Sequence, residues 1–388
     1  MNNGLAHLLL RRYWKMMVLL LVVLVGNAVY VSATFVGDWK LAYSYYHSDE
    51  FKKMFNEDEE IKQDGKIYLY SKENGEEVYT NSYQEYVDFN ATVFNESGFY
   101  SYDLTGGYFY TTALVAAIAG CLLFMFDLKT HFNTLLFSSR FSKKSIYFMK
   151  HLLVTGTFIL SLIISKIVYL AILLRNIPEK YLNAGLMELM PSVVVNVLAL
   201  ATTFIAASLL GLVLGEWISG LGTIAFFFVT FGMFTSQLYA ASEQIAAYYE
   251  KTNQLWPFIN MLTSPAIQPR VVHPGEVALP LLLSGGCLLA GAALYQRLSL
   301  ENNGNYLMFD KLRKPMQLLI VIYTVMLFRL DRHVRYLFPL SFETPGSFFS
   351  ITAKTLGFGA MVYVLTDFLI YRRIPFKQHL LKWVKRAQ

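Results

Sequence analysis

Residues 127–150 read DLKTHFNTLLFSSRFSKKSIYFMK, with Lys129, His131, Arg140, Lys143, Lys144 and Lys150 set against one acid, Asp127. Two apolar runs, 108–126 and 152–174, flank the stretch. In a short loop between apolar runs, basic residues hold that loop on the cytoplasmic side of a membrane. Within it, 132–141 reads as a short helix carrying Phe132, Leu135, Leu136 and Ser139 at helical spacing. A short amphipathic helix hung between two spans suits a docking surface. The plainer reading is a basic loop that only sets topology, as in any polytopic protein.

A second group of charges lies inside the apolar runs: Lys166 in the third, Glu188 near the start of the fourth, and Lys354 and Asp367 in the last. A lysine at the centre of a membrane helix costs about 2.5–3.5 kcal/mol on insertion scales. Lys166 is the deepest of the four, so it is expected to face a bundle interior or a polar cavity, or to snorkel outward. Facing inward, it would line a transport path. Glu188 and Lys354 stand close enough to span ends to reach the interface. Asp367 is expected to cap or pair locally.

The signatures of catalysis are missing. The sequence has no GxxxxGK[ST] phosphate loop, no HExxH helix and no GxSxG elbow. His7, His47, His131, His151, His273, His333 and His379 are scattered, and no two have metal-ligand spacing backed by acids. Cys121 and Cys287 lie in apolar runs and form no CxxC pair. No catalytic residue, metal or cofactor is therefore expected, and no ATP binding by this chain alone. The net charge of +6 comes from loops beside apolar runs, so the expected partner of these cations is membrane lipid, with no nucleic acid.

The elements that must position these residues follow from composition. Of 388 residues 55% are hydrophobic and 15% charged, where soluble proteins carry about 25% charged residues; mean hydropathy is +0.40. Runs reaching the roughly 20 residues that cross a bilayer recur along the chain. The expected fold is an all-α polytopic membrane protein of about eight transmembrane helices with both termini cytoplasmic. Residues 1–16 read as an interfacial helix and 17–36 as the first span, an uncleaved anchor rather than a signal peptide cut after Val31-Ser32-Ala33. Residues 37–107 are acidic, polar and rich in tyrosine, and are expected outside the cell. Lys66–Ser71 and Glu77–Thr80 around Glu73-Asn74-Gly75 suggest a small hairpin there, with a few helices as the alternative. A solvated, weakly folded loop is the other reading of that segment. Spans two to six fall within 108–296, at 108–126, 152–174, 186–215, 221–241 and 277–296. Gly285, Gly286 and Gly291 in the sixth suggest close helix packing. A basic linker at 297–315 precedes a short apolar run, 316–328, and a final span, 351–371, with a basic tail at 372–388. Both ends lie inside only if the short run also crosses, with Arg329 snorkelling.

This order of parts resembles the ABC-2 type permease family, the membrane half of bacterial ABC transporters. The likeness rests on Thr134, Leu135, Leu136, Ser138, Ser139, Arg140, Lys143, Lys144 and Lys150 after the second span, although a proline common before the arginine in that family is missing here. Arg297, Glu301, Gly304 and Phe309 are similar to the linker of a longer Gram-positive subgroup that adds a final helical pair. The resemblance implies a bacterial plasma-membrane subunit paired with a second permease chain, identical or related. It would dock a separate ABC ATPase through Phe132, Thr134, Leu135, Leu136, Ser138, Ser139 and Arg140, and would transport, by export, an amphipathic substrate. The alternatives are a membrane sensor or accessory protein that binds a ligand through 37–107, and a membrane-embedded transferase.

Overall fold

The computed structural model describes residues 3–57, 62–63, 66–71, 77–94, 99–249, 267, 271–299, 306–337 and 348–371. Apolar segments with no water to solvate their backbone must satisfy it internally, and a helix does so within one segment. Among the described residues, seven helices are long and apolar enough to cross a membrane: α1 (Asn3–Tyr46), α4 (Phe99–Lys129), α6 (Lys143–Asn176), α8 (Leu186–Val213), α9 (Trp217–Tyr248), α10 (Pro274–Gln296) and α12 (Phe348–Tyr371). The chain is an all-α polytopic membrane protein. The most enclosed spans are α4 and α8, with 61% and 56% of their most apolar stretches buried; α9, α10 and α12, at 11–17%, leave most of theirs uncovered by the described residues.

Two expected boundaries differ. The segment 1–16 is not a separate helix, because nothing between Lys15 and Met17 breaks the backbone and α1 runs on through the span to Tyr46. At 44 residues α1 is about 66 Å long, twice the bilayer core, so its ends project. The short run at 316–328 belongs to a longer helix, α11 (Arg313–Leu337), of 25 residues. This is about 37 Å, enough length to cross. Its second half carries Arg329, Asp331, Arg332 and Arg335, which sets it apart from the seven apolar helices.

Contacts divide the chain into two units. The first comprises Met1–Ala116, Met149–Thr203 and Ser264–Leu283. Its core holds Phe35, Tyr108, Tyr169, Leu173, Leu182 and Leu189. The described residues of the segment between the first two spans are folded. They contain α2 (Asp49–Glu57), α3 (Tyr83–Ala91) and a three-stranded antiparallel sheet, β1 (Lys62–Gln63), β2 (Lys66–Ser71) and β3 (Glu77–Thr80). The expected hairpin strands are β2 and β3, paired Ile67 to Thr80 and Tyr68 to Tyr79, with a bulge before Tyr70. The turn residues Glu73, Asn74 and Gly75 lie outside the described residues. Ser82 caps α3 by accepting from the Glu85 amide, while Thr80 donates to the Glu85 carboxylate at 2.6 Å, a variant of the capping box. Phe51, Phe55, Tyr83, Tyr86 and Val87 make a small core, in which Tyr83 donates to the Tyr46 carbonyl at 2.6 Å.

Further links fasten this segment to its neighbours. Trp39 donates from Nε1 to the Ala91 carbonyl at 2.8 Å, and the Val93 amide donates to the Tyr181 carbonyl at 2.7 Å. Lys180, on the short α7 (Glu179–Leu182), pairs with Asp88 at 2.8 Å. Burial raises the Asp88 carboxyl, but the hydrogen bonds of Lys180, Gln84 and Tyr181 and the charge of Lys180 together outweigh it and hold the group below the usual value. A lowered native pKa stabilises the fold above the unfolded value and is lost as pH falls through the native one. The pair is largely solvent-exposed, so its contribution is about 0.2–1 kcal/mol. Hydrogen exchange of the α3 amides should therefore be faster in Asp88→Asn than in wild type at pH 7. The gap should close below about pH 4; a gap independent of pH would exclude the ion pair as its source.

The second unit comprises Ala117–Phe148, Phe204–Thr263 and Ser284–Gln388. In it α4 and α8 meet with no side chain between them: a Cβ at Gly120 would strike the Phe204 carbonyl, and one at Gly211 the Cys121 carbonyl. Of the three glycines expected to pack closely in α10, only Gly291 does so, under the Tyr147 ring; Gly285 and Gly286 face open space. Between α8 and α9 the chain pairs as a short antiparallel bridge with the end of the 297–315 linker. Gly215 N donates to Tyr306 O (3.0 Å) and Met308 N to Val213 O (2.9 Å). On α11, Tyr323 hydrogen-bonds to Thr230 of α9 at 2.9 Å, and Gln317 donates to the Tyr363 carbonyl and Asp367 carboxylate of α12 at 3.2 and 3.4 Å. The partner of Asp367 is thus 50 residues away in sequence rather than local.

Candidate functional site

Two places gather the residues singled out above, one in each unit. In the second unit, α4 ends at Lys129 and the chain turns through His131, which adopts the left-handed conformation (φ 55°) that lets it reverse within a few residues. It then enters α5 (Phe132–Phe137), shorter than the expected 132–141. Ser138 and Ser139 end the helix by turning their hydroxyls back onto the carbonyls of Leu135 and Leu136, at 3.0 and 2.6 Å.

Successive helical residues point about 100° apart, which separates the two leucines. Leu136 is fully buried and Leu135 is 54% exposed. Thr134, Ser138 and Arg140 are exposed with Leu135, whereas Phe132 and Ser139 are half-buried. The outward face of α5 therefore carries Thr134 and Leu135, with Ser138 and Arg140 exposed just beyond its end, and Leu136 is an anchor on its underside.

That underside is pinned by residues the sequence did not indicate. Tyr295 of α10 donates from its hydroxyl to Asn133 Oδ1 at 3.1 Å, in a buried bond between residues 162 apart. The Phe137 and Tyr295 rings meet at 5.6 Å, and Phe124, Tyr147 and Tyr295 form an aromatic triad with centroids 5.5–5.7 Å apart. Lys143 crosses the Phe137 ring at 4.4 Å and donates to the Leu298 carbonyl at 2.8 Å. Lys129 stands 3.6 Å over the Trp217 ring at the start of α9. Only Gly291, small enough to sit under Tyr147, left a trace in the sequence. The cations of this stretch are thus divided: Lys129 and Lys143 hold neighbouring elements, Arg140 and Lys144 face outward, and Lys150 is buried.

In the first unit, Lys166 is neither at an interface nor snorkelling. It is 1% exposed within α6, and its Nζ lies 3.8 Å over the Tyr108 ring of α4. Tyr169, one turn along α6, stacks on the same ring at 4.6 Å. The Tyr108 hydroxyl donates to Ser165 Oγ at 3.2 Å, and Ser165 donates to the Leu162 carbonyl at 2.8 Å. Neither Lys166 Nζ nor the Tyr169 hydroxyl has a hydrogen-bond partner among the described residues. Glu188, by contrast, is used locally, accepting from the Gly185 amide at 2.9 Å to cap the start of α8.

Among the described residues no group of three His, Cys, Asp or Glu side chains is placed to hold a metal ion. The chain matches no known protein family, no curated protein and no solved structure.

Proposed function

We propose that this protein is the membrane-spanning permease subunit of a bacterial ABC transporter, which couples ATP hydrolysis on a separate ATPase chain to export of an amphipathic substrate. The observation that carries the reading is α5. It is a short helix between two spans, fixed from beneath by Asn133, Leu136 and Phe137, and offering Thr134 and Leu135 outward, with Ser138 and Arg140 exposed just beyond its end. A rigidly seated helix passes displacement to the spans beside it, where a free loop would absorb it. In this reading α5 lies in the cytoplasm, the folded segment between the first two spans lies outside the cell, and a second permease chain completes the transport path. The chain supplies a conformational equilibrium, and ATP binding by its partner biases it.

Co-purification of the tagged full chain with the products of its adjacent genes tests the reading. Recovery of a Walker-motif ATPase is expected, and its absence at every detergent and nucleotide condition would overturn the proposal. Topology is tested separately. Cysteines replacing Lys53 and Lys144, both exposed, should label from opposite sides of the membrane; labelling of both from outside would remove α5 from the cytoplasm. The packed aromatic core around Phe51, Tyr83 and Tyr86 favours a second reading, a sensor that binds a ligand through this segment. Unaltered ligand binding in cells lacking any ATPase partner would move the assignment there.

A further inference from the structure

The groups around Lys166 are unbalanced in one direction. The ammonium offers three N–H donors and the Tyr169 phenol one O–H, and none is taken up by an acceptor among the described residues. The hydroxyl of Ser165 is already occupied on both sides, by Tyr108 and Leu162. No carboxylate pairs with Lys166 among the described residues. The face of the Tyr108 ring offsets part of the charge but leaves the donors unmet. A buried ammonium is costly without a counter-charge, so a place made of these donors is complementary to an oxyanion, which would keep the lysine charged, and to neither a cation nor an amine.

A run of polar groups ends at the backbone carbonyl of Tyr108. On the exposed face of α4, Thr111 accepts from Asn27 of α1 at 3.1 Å, and Asn27 also reaches the buried Thr112 at 3.2 Å. Both threonines donate to the carbonyl of Tyr108, the residue whose ring underlies Lys166. The apolar runs of α4 and α6 set this line within the membrane. An anion reaching it from the exposed face arrives through lipid, which an acyl chain makes easy and a free ion does not.

We propose that Lys166, with Tyr169 as a second donor, is a seat for a single oxyanionic group, the carboxylate or phosphate head of an acyl-chain amphiphile. The site stands independently of the permease reading, because its occupancy needs no ATPase.

Equilibrium binding of radiolabelled oleate to the full chain in maltoside micelles tests it, with oleyl alcohol, acetate and inorganic phosphate as competitors. Lys166→Met keeps the bulk and removes the charge, and should weaken oleate binding about tenfold or more. Lys144→Met, at an exposed loop cation, should leave it unchanged, and oleyl alcohol should not compete. Tyr169→Phe should bind more weakly than wild type; equal binding would remove Tyr169 from the seat. Competition by acetate or phosphate at concentrations comparable to oleate would assign the seat to a free anion. Oleate binding by Lys166→Met equal to wild type, or equal competition by oleyl alcohol, would overturn the proposal. A thermal melt of each variant shows that the chains compared are folded.

Discussion

Alanine at position 211 is expected to lose more stability than any other single-methyl addition among the described residues of the second unit, with Gly120→Ala beside it. Ordinarily glycine to alanine inside a helix gains about 0.5–1 kcal/mol, because the backbone has less freedom to lose. Here the new methyl meets the carbonyl and Cα of Cys121, and at position 120 the carbonyl of Phe204. Backbone atoms in the two most enclosed spans cannot rotate aside as a side-chain tip can. The helices must separate, which costs about 1–3 kcal/mol or more and loosens the packing of Cys121, Met125, Ala207 and Ile224. Gly222→Ala and Gly285→Ala supply the comparison, since nothing stands within 4 Å of either new methyl. Thermal unfolding of the purified chains should therefore rank Gly211→Ala and Gly120→Ala well below wild type, with Gly222→Ala and Gly285→Ala at or slightly above it. Equal melting of all four would mean that α4 and α8 do not pack through their glycines.

The spans were legible because apolar length is a one-dimensional property, and the strands β2 and β3 because alternation and a Glu-Asn-Gly turn are local. What was not legible depends on direction or on distant partners. Leu135 and Leu136 are adjacent and chemically identical, so only the underside contacts of α5 decide which faces out, and the Tyr295 that makes one of them is 162 residues away. Gly285, Gly286 and Gly291 look alike in the sequence, yet only the last has a ring above it. The depth of Lys166 followed from its position in an apolar run. Its enclosure followed from Tyr108 and Tyr169, aromatic residues with no local pattern to mark them as its neighbours. The length of α11 was underestimated because its charged second half interrupts the apolar signal without interrupting the helix.

Those two leucines give the sharpest test of the docking assignment, because the same chemistry at neighbouring positions should fail in opposite ways. Leu135→Asp changes a side chain that is 54% exposed, and exposed substitutions usually shift stability by less than about 0.5 kcal/mol. The folded yield and melting point should stay at wild-type values. An apolar anchor at the centre of an interface is worth about 2 kcal/mol or more, so replacing it with a charge should weaken ATPase association roughly 30-fold or more and remove the ATPase from the co-purified complex. Leu136→Ala does the reverse. It empties a fully buried site beneath α5, where large-to-small substitutions cost about 2–5 kcal/mol, and should lower the melting point. At temperatures where the variant remains folded, the outward residues Thr134, Leu135, Ser138 and Arg140 are intact, and some ATPase should still be retained. Loss of the ATPase in Leu135→Asp together with a lowered melting point would mark a folding defect rather than a docking one. Retention of the ATPase by a well-folded Leu135→Asp would place the ATPase contact elsewhere on the chain and leave α5 as a structural clasp for the end of α10.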